Sequence, residues 1–438
     1  MPIRYLLLLL LGSSFVQAEE HTFTLQQALE IASRQNPDVA LARLDEQRAQ
    51  QNVKVVHDPF VPKVYAGSGA AYTYGYPNPI DGSAPSILDI KTDMAIYNRP
   101  RSYQVAAARE NARGMQLDAQ ERSDEVAYRT ASLFLDAEQA SKQLQTLQDQ
   151  MPALRQVIGV MESRVSEGAE LPVETQRAKL NLQQAEHEIN TFKANQDYAE
   201  MLLAVTLGYS ANDRVHPAGS MESVKLPPLE SEDDSVRLAL IHSKQLKRLQ
   251  SAVLAKELEI RSYSSARFPQ VGLVAQYSLL AQYTFQGYFQ KFQRHNAQIG
   301  ASFVIPLLTG SQSSGQYEEC ATDMAKLRIQ INQTRNQITT DTKRTYQMVK
   351  SAEETRDLAR QQLDLAHQDL SLLLSRYAEA QVPLRDVERA RTLENQRWLM
   401  LYEAETQSER ARLDFLRQLG DLMASLRMSS DIPESPAR

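Results

Sequence analysis

Two stretches of this chain repeat one uncommon pattern, and the repetition limits what it can fold into. From Leu133 to Val165, apolar or small residues recur at alternating steps of four and three: Leu133, Ala137, Ala140, Leu144, Leu147, Met151, Leu154, Ile158, Met161 and Val165. A heptad seam held this long marks a helix in a left-handed coiled coil. It stops at Gly168, and Ala169-Glu170-Leu171-Pro172 does not continue a helix. A second seam follows, with Ala178, Leu182, Ala185, Ile189 and Phe192. A short break between two seams predicts an antiparallel helical hairpin. The pattern returns in Val349, Ala352, Ala359, Leu363, Ala366, Leu370, Leu373 and Tyr377, with Arg356 the one exception, and breaks at Ala380-Gln381-Val382-Pro383. The chain thus reads as two copies of one unit, each ending in a long helical hairpin with a tight tip.

The rest of the chain fits this frame. Residues 1–18 carry Arg4, the apolar run Leu6–Leu11 and the small-residue pattern Val16-Gln17-Ala18, as an export signal does. The first repeat takes residues 19–208, a linker 209–233, the second repeat 234–424 and a frayed tail 425–438. Loss of Arg4 takes the net charge from −6 to −7, which argues against nucleic acid as a partner. The lone Cys320 lies on a helical apolar stripe with Tyr317, Met324, Leu327 and Ile331 and reads as a small buried residue. Seven scattered histidines, no nucleophile elbow and no phosphate loop predict neither catalysis, nor a cofactor, nor a metal site.

Each repeat opens with helix and then turns to strands. Thr24 to Asp58 predicts helix, capped by Thr24 with Gln27 and punctuated by Asn36-Pro37. Val64 to Tyr76 predicts a strand with Tyr72, Tyr74 and Tyr76 on one face, and the loop 77–85 follows. In Ile87 to Asn98, Leu88, Ile90, Thr92, Met94 and Ile96 alternate with Asp89, Lys91 and Asp93. Period two suits a half-buried strand, and equally a barrel strand with lipid on one side and water on the other. Arg99 to Val165 predicts one helix, roughly 100 Å long at about 1.5 Å per residue. The return helix, Val173 to Leu207, is about half that.

The second repeat runs alike: helix from Asp234 to Arg267, strands from Val271 to Tyr283 and Asn296 to Ile305, a long helix from Ser311 to Tyr377, and a return helix ending at Leu419-Gly420. Phe285, Tyr288, Phe289 and Phe292 lie in the loop between the strands. Four strands cannot close a barrel, and open edges are not tolerated in lipid. No apolar run is long enough for a transmembrane helix. If the strands cross a membrane, several chains must share one barrel. The competing reading is a periplasmic coiled-coil adaptor with no membrane barrel.

Several segments then carry a resemblance. Leu25-Gln26-Gln27-Ala28-Leu29 with Asn36-Pro37, Phe268-Pro269-Gln270-Val271, Ile305-Pro306-Leu307 with Gly310, and Tyr377-Ala378-Glu379-Ala380-Gln381-Val382-Pro383-Leu384-Arg385-Asp386-Val387 resemble the TolC-like outer membrane efflux protein family, in order and in duplicate. The resemblance implies a mainly α fold with β: duplicated helical hairpins forming a periplasmic coiled-coil tunnel, and four strands per chain contributing to a shared barrel in outer-membrane lipid. It implies a homotrimeric channel, the exit duct of tripartite efflux or type I secretion. Its partners would be a periplasmic adaptor protein and an inner-membrane transporter. Gly168, Ala169, Glu170, Leu171, Ala380, Gln381 and Val382 would be adaptor-contact tips. Asp386, Arg389, Tyr377, Glu174 and Thr175 would form the periplasmic aperture, with Thr175 matched to Asp386 and Glu174 a substitute acidic partner for Tyr377. Asp89, Lys91 and Asp93 would line the barrel lumen.

Overall fold

The computed structural model describes residues 20–68, 86–168, 171–219, 226, 231–280, 295–307, 310–379, 381–420, 422 and 426. The expected signal segment, Tyr72, Tyr74, Tyr76, the loop 77–85, Tyr283, Phe285, Tyr288, Phe289, Phe292 and the tail 427–438 lie outside the described residues. The elements in order are β1 (Glu20–Phe23), α1 (Leu25–Gln35), α2 (Pro37–His57), a 3-10 turn (Asp58–Phe60), β2 (Lys63–Gly67), β3 (Ser86–Asn98), α3 (Arg99–Ser166) and α4 (Pro172–Leu207). Then come β4 (Arg214–Pro217), α5 (Glu232–His242), α6 (Lys244–Ser264), β5 (Gln270–Leu280), β6 (His295–Val304), α7 (Gln312–Ala378) and α8 (Leu384–Leu419). The order of helices and strands from α1 to α4 recurs from α5 to α8.

The repeats interleave in space. One compact unit holds Met1–Leu41, Glu121–Ser243 and Gln337–Arg438; the other holds Ala42–Gln120 and Lys244–Asn336. Within the first, Thr24 caps α1 through a reciprocal capping box with Gln27. Asn36 separates α1 from α2. Its Oδ1 accepts from the Asp38 amide at 2.8 Å, and its Nδ2 donates to the buried Thr206 carbonyl at 2.7 Å. Ala28, Ala32, Val39, Val126, Phe134, Leu203, Leu207 and Val215 form the core around this joint.

Two features here escaped the sequence reading. The segment expected only as a linker contains β4, which pairs in parallel with β1, Glu20 opposite Arg214 and Phe23 opposite Pro217. Four residues are too few to show a period. The helix expected from Asp234 to Arg267 is two helices, broken at Ser243, whose backbone turns to φ −54°, ψ 112°. The first repeat marks the same place with proline; here no proline announces it.

The second unit contains an antiparallel sheet in the order β2-β3-β5-β6. Asn98 closes β3 and starts α3: its Oδ1 accepts from the Arg101 amide at 3.1 Å, and its Nδ2 donates to Gln270 at 3.2 Å. Phe268 lies under Arg99, ring centroid to Cζ 4.3 Å. Cys320 is buried and its Sγ donates to Glu259 at 3.4 Å; burial and that carboxylate push the thiol up to about 11.

Candidate functional site

Strand pairing sorts the sheet into two chemically distinct faces. Side chains alternate along each strand, and directly paired residues share a face. Asp89, Lys91 and Asp93 of β3 stand opposite Ser278, Gln276 and Val274 of β5, which stand opposite Asn296, Gln298 and Gly300 of β6. On this face Asp89 accepts from Ser278 at 2.8 Å and Gln276 at 3.0 Å, and pairs with Lys91 at 3.0 Å. Asp89 and Lys91 are therefore brought together, with Asp93 on the same face, and β5 supplies hydrogen-bond partners to Asp89.

The opposite face carries Leu88, Ile90, Thr92 and Met94 against Leu279, Tyr277, Ala275 and Leu273, and those against His295, Ala297, Ile299 and Ala301. Its side chains are uncovered: Ile299 is 82% exposed and Phe303 73%. One sequence expectation fails here. A bulge between Ala95 and Tyr97 removes Ile96 from the apolar row, and Tyr97, opposite Val271, takes its place. A bulge adds one residue and so reverses the alternation beyond it.

No helix among the described residues is long and apolar enough to cross a membrane. The sheet, in contrast, is two-faced, and among the described residues β2 and β6 are its open edges. In lipid, such edges require partners.

The hairpin ends form the second candidate region. Met161 of α3, Leu370 of α7, and Leu384 and Val387 of α8 make a small core, with Val157, Leu373, Tyr377, Val382 and Ala390 packed on it. The Tyr377 hydroxyl accepts from Arg164 at 3.3 Å. Glu174 pairs with Arg177 at 2.9 Å, and Asp386 with Arg389 at 3.9 Å and Arg385 at 3.5 Å. Burial raises the Glu388 carboxyl above the usual carboxylate range, partly opposed by Arg391 at 3.5 Å. The Thr175 hydroxyl oxygen is enclosed and has no hydrogen-bond partner among the described residues. Leu171 is 66% exposed. Ala169, Glu170 and Ala380 lie outside the described residues, while Gly168 takes φ 74°.

The structure changes the alignment of the two tips. Aligning the prolines sets Thr175 against Asp386. Five residues separate the helices at both tips, Glu167 to Leu171 and Glu379 to Pro383. Pro172 is the first residue of α4, whereas Pro383 is the N-cap of α8. Proline suits either place, because both tolerate its fixed φ and missing amide hydrogen. Counted from the helix starts, Glu174 matches Asp386 and Arg177 matches Arg389. Arg164, Arg177 and Arg385 were not singled out from the sequence, since arginine on a helix surface gives no pattern of its own.

A family profile described as outer membrane efflux protein matches residues 26–209. No curated protein sequence matches. Solved structures share the fold over nearly the whole chain. The channel CusC is 14% identical with TM-score 0.75, covering 91% of this chain and 92% of its own. The outer membrane protein VceC of Vibrio cholerae is 16% identical with TM-score 0.73, covering 90% and 96%. The Campylobacter jejuni outer membrane channel CmeC is 12% identical with TM-score 0.73, covering 93% and 89%. The profile thus covers the first repeat, and the fold of these outer membrane channels is shared over both repeats.

Proposed function

We propose that this chain, as a homotrimer, is the exit duct of a tripartite efflux or secretion system. Three copies of the four-stranded sheet supply one closed barrel in the outer membrane. The helical hairpins form a periplasmic tunnel that receives cargo through a periplasmic adaptor and an inner-membrane transporter. The observation that carries this reading is the sheet: one face polar, one face apolar and uncovered, and, among the described residues, both edges unpaired. Its edges and its apolar face find partners together if three copies close a ring in lipid. The role is conduction, without catalysis.

Asp386, Arg389, Tyr377, Glu174 and Thr175 belong to the periplasmic aperture, and Asp89, Lys91 and Asp93 to the barrel lumen. Gly168 to Leu171 and Ala380 to Val382 contact the adaptor. Among the described tip residues Leu171 is largely exposed, so contact chemistry is free to set it.

Light scattering of the protein in mild detergent should give three copies, and reconstitution into planar bilayers should give ion conductance. A soluble periplasmic monomer without conductance would overturn the duct and favour the coiled-coil adaptor. Photo-crosslinkers at Leu171 and Gln381 should capture the adaptor in cells. Equal capture from a solvent-facing position in the middle of α4 would refute the tip assignment.

A further inference from the structure

Within the first compact unit, α3, α4 and α8 frame an open cleft of about 660 Å³. Small-molecule sites fall in the range of roughly 300–1,000 Å³ and are mostly apolar, with a few polar groups. Here Phe192, Tyr198, Leu399 and Met400 supply apolar and aromatic surface, and Gln139 and Asn195 supply side-chain amides. Among the described residues, the charged groups lining the cleft are two carboxylates, Asp136 of α3 and Glu403 of α8. One-signed lining is not general along these helices. A smaller cleft of about 260 Å³ between α3, α7 and α8 sets Lys142, Arg356 and Arg360 beside Glu138, Glu405 and Glu409.

Neither carboxylate of the larger cleft is fully compensated. Asp136 pairs with Arg410, which stands outside the lining. Burial outweighs that arginine and holds the Asp136 carboxyl above the ordinary carboxylate range. Glu403 accepts from Gln407 at 3.2 Å and has no basic partner among the described residues. A positive charge brought into the cleft favours the ionised form of both acids. The aromatic rings act in the same direction, since their faces attract cations.

We propose that this cleft is a binding site for organic cations with an apolar body. Glu403 and Asp136 take the charge, and Phe192, Tyr198, Leu399 and Met400 take the body. All three walls come from one chain, so the inference does not depend on how many copies assemble.

The test is equilibrium dialysis of the full-length protein in mild detergent, against a detergent-only control. The probes are tetraphenylphosphonium and tetraphenylborate, which share size and shape and differ in sign. Tetraphenylphosphonium should bind saturably and tetraphenylborate much more weakly. E403Q should weaken phosphonium binding several-fold at an unchanged melting temperature. N195W, a bulky replacement at an exposed lining position, should abolish it. E405Q, which removes a carboxylate of the smaller cleft, should bind like wild type. Absence of saturable binding would overturn the proposal, as would equal binding of the two ions. So would E403Q that binds like wild type, or E405Q that loses as much as E403Q, because general surface charge would then be the cause. If N195W lowers the melting temperature, the E403Q and E405Q pair decides alone.

Discussion

Gly208 lies directly against the backbone carbonyl of Gln35. It ends α4 in the left-handed region at φ 91°, and a Cβ built on it would come within 2.8 Å of the Gln35 oxygen. Gly420 ends α8 the same way at φ 78°, where a Cβ would meet the Cβ of His242 at 3.0 Å. Each return helix thus stops on the end of the short helix that opens its own repeat. Gly208→Ala should destabilise by about 1–2 kcal/mol for the left-handed backbone, plus the cost of the clash with the carbonyl. Gly420→Ala should cost less, because its nearest contact lies at 3.0 Å instead of 2.8 Å. Thermal melting in detergent checks the order, and equal effects would contradict it.

Asn36 should matter more than a polar residue in a helix joint usually does. It caps α2 and holds the Thr206 carbonyl while only 5% exposed. Asn36→Ala removes a cap and leaves a buried carbonyl without its donor, at a cost of roughly 1–3 kcal/mol. Asn36→Asp keeps the cap but loses the donor, so its loss of stability should come mainly from the Thr206 side. A variant pair with unchanged melting temperatures would show that the joint is held elsewhere.

The sheet faces give a labelling pattern. In a Cys320→Ala background, single cysteines at positions 89, 91 and 93 should react with a membrane-impermeant thiol reagent in reconstituted protein. Those at 88, 90 and 94 should be protected by lipid. Position 97 should follow the protected set, because the bulge returns Tyr97 to the apolar face. Uniform labelling would mean that this face does not contact lipid.

Cys320 predicts an alkaline weakness. Its thiol is pushed up to about 11 from an ordinary value of 9.0, first by burial and then by Glu259. A group with a raised folded pKa keeps its proton in the native state, while the unfolded chain ionises first. The contribution is therefore fully present below about pH 9 and falls as pH rises towards 11. Wild type should lose melting temperature more steeply than Cys320→Ala across that window. Parallel declines would show that the thiol stays ionisable in the fold.

Much of this protein was settled by its sequence, because its signals are periodic and long. A heptad seam maintained across α3 or α7 leaves little room for another structure, and alternation from Leu88 to Met94 fixes which β3 residues share a face. Asn36-Pro37 placed a helix boundary because proline restrains the residue before it. Other features depend on contacts between residues distant in sequence. The strand β1 exists because β4, nearly two hundred residues on, offers it a pairing edge. Ser243 breaks a helix without proline or glycine at that position. The bulge at Ile96 is a property of pairing with β5 and has no signature within β3. The paired acids and arginines of the return helices were present in the sequence all along. Their shared register appeared only when the helix starts, instead of the prolines, could be aligned.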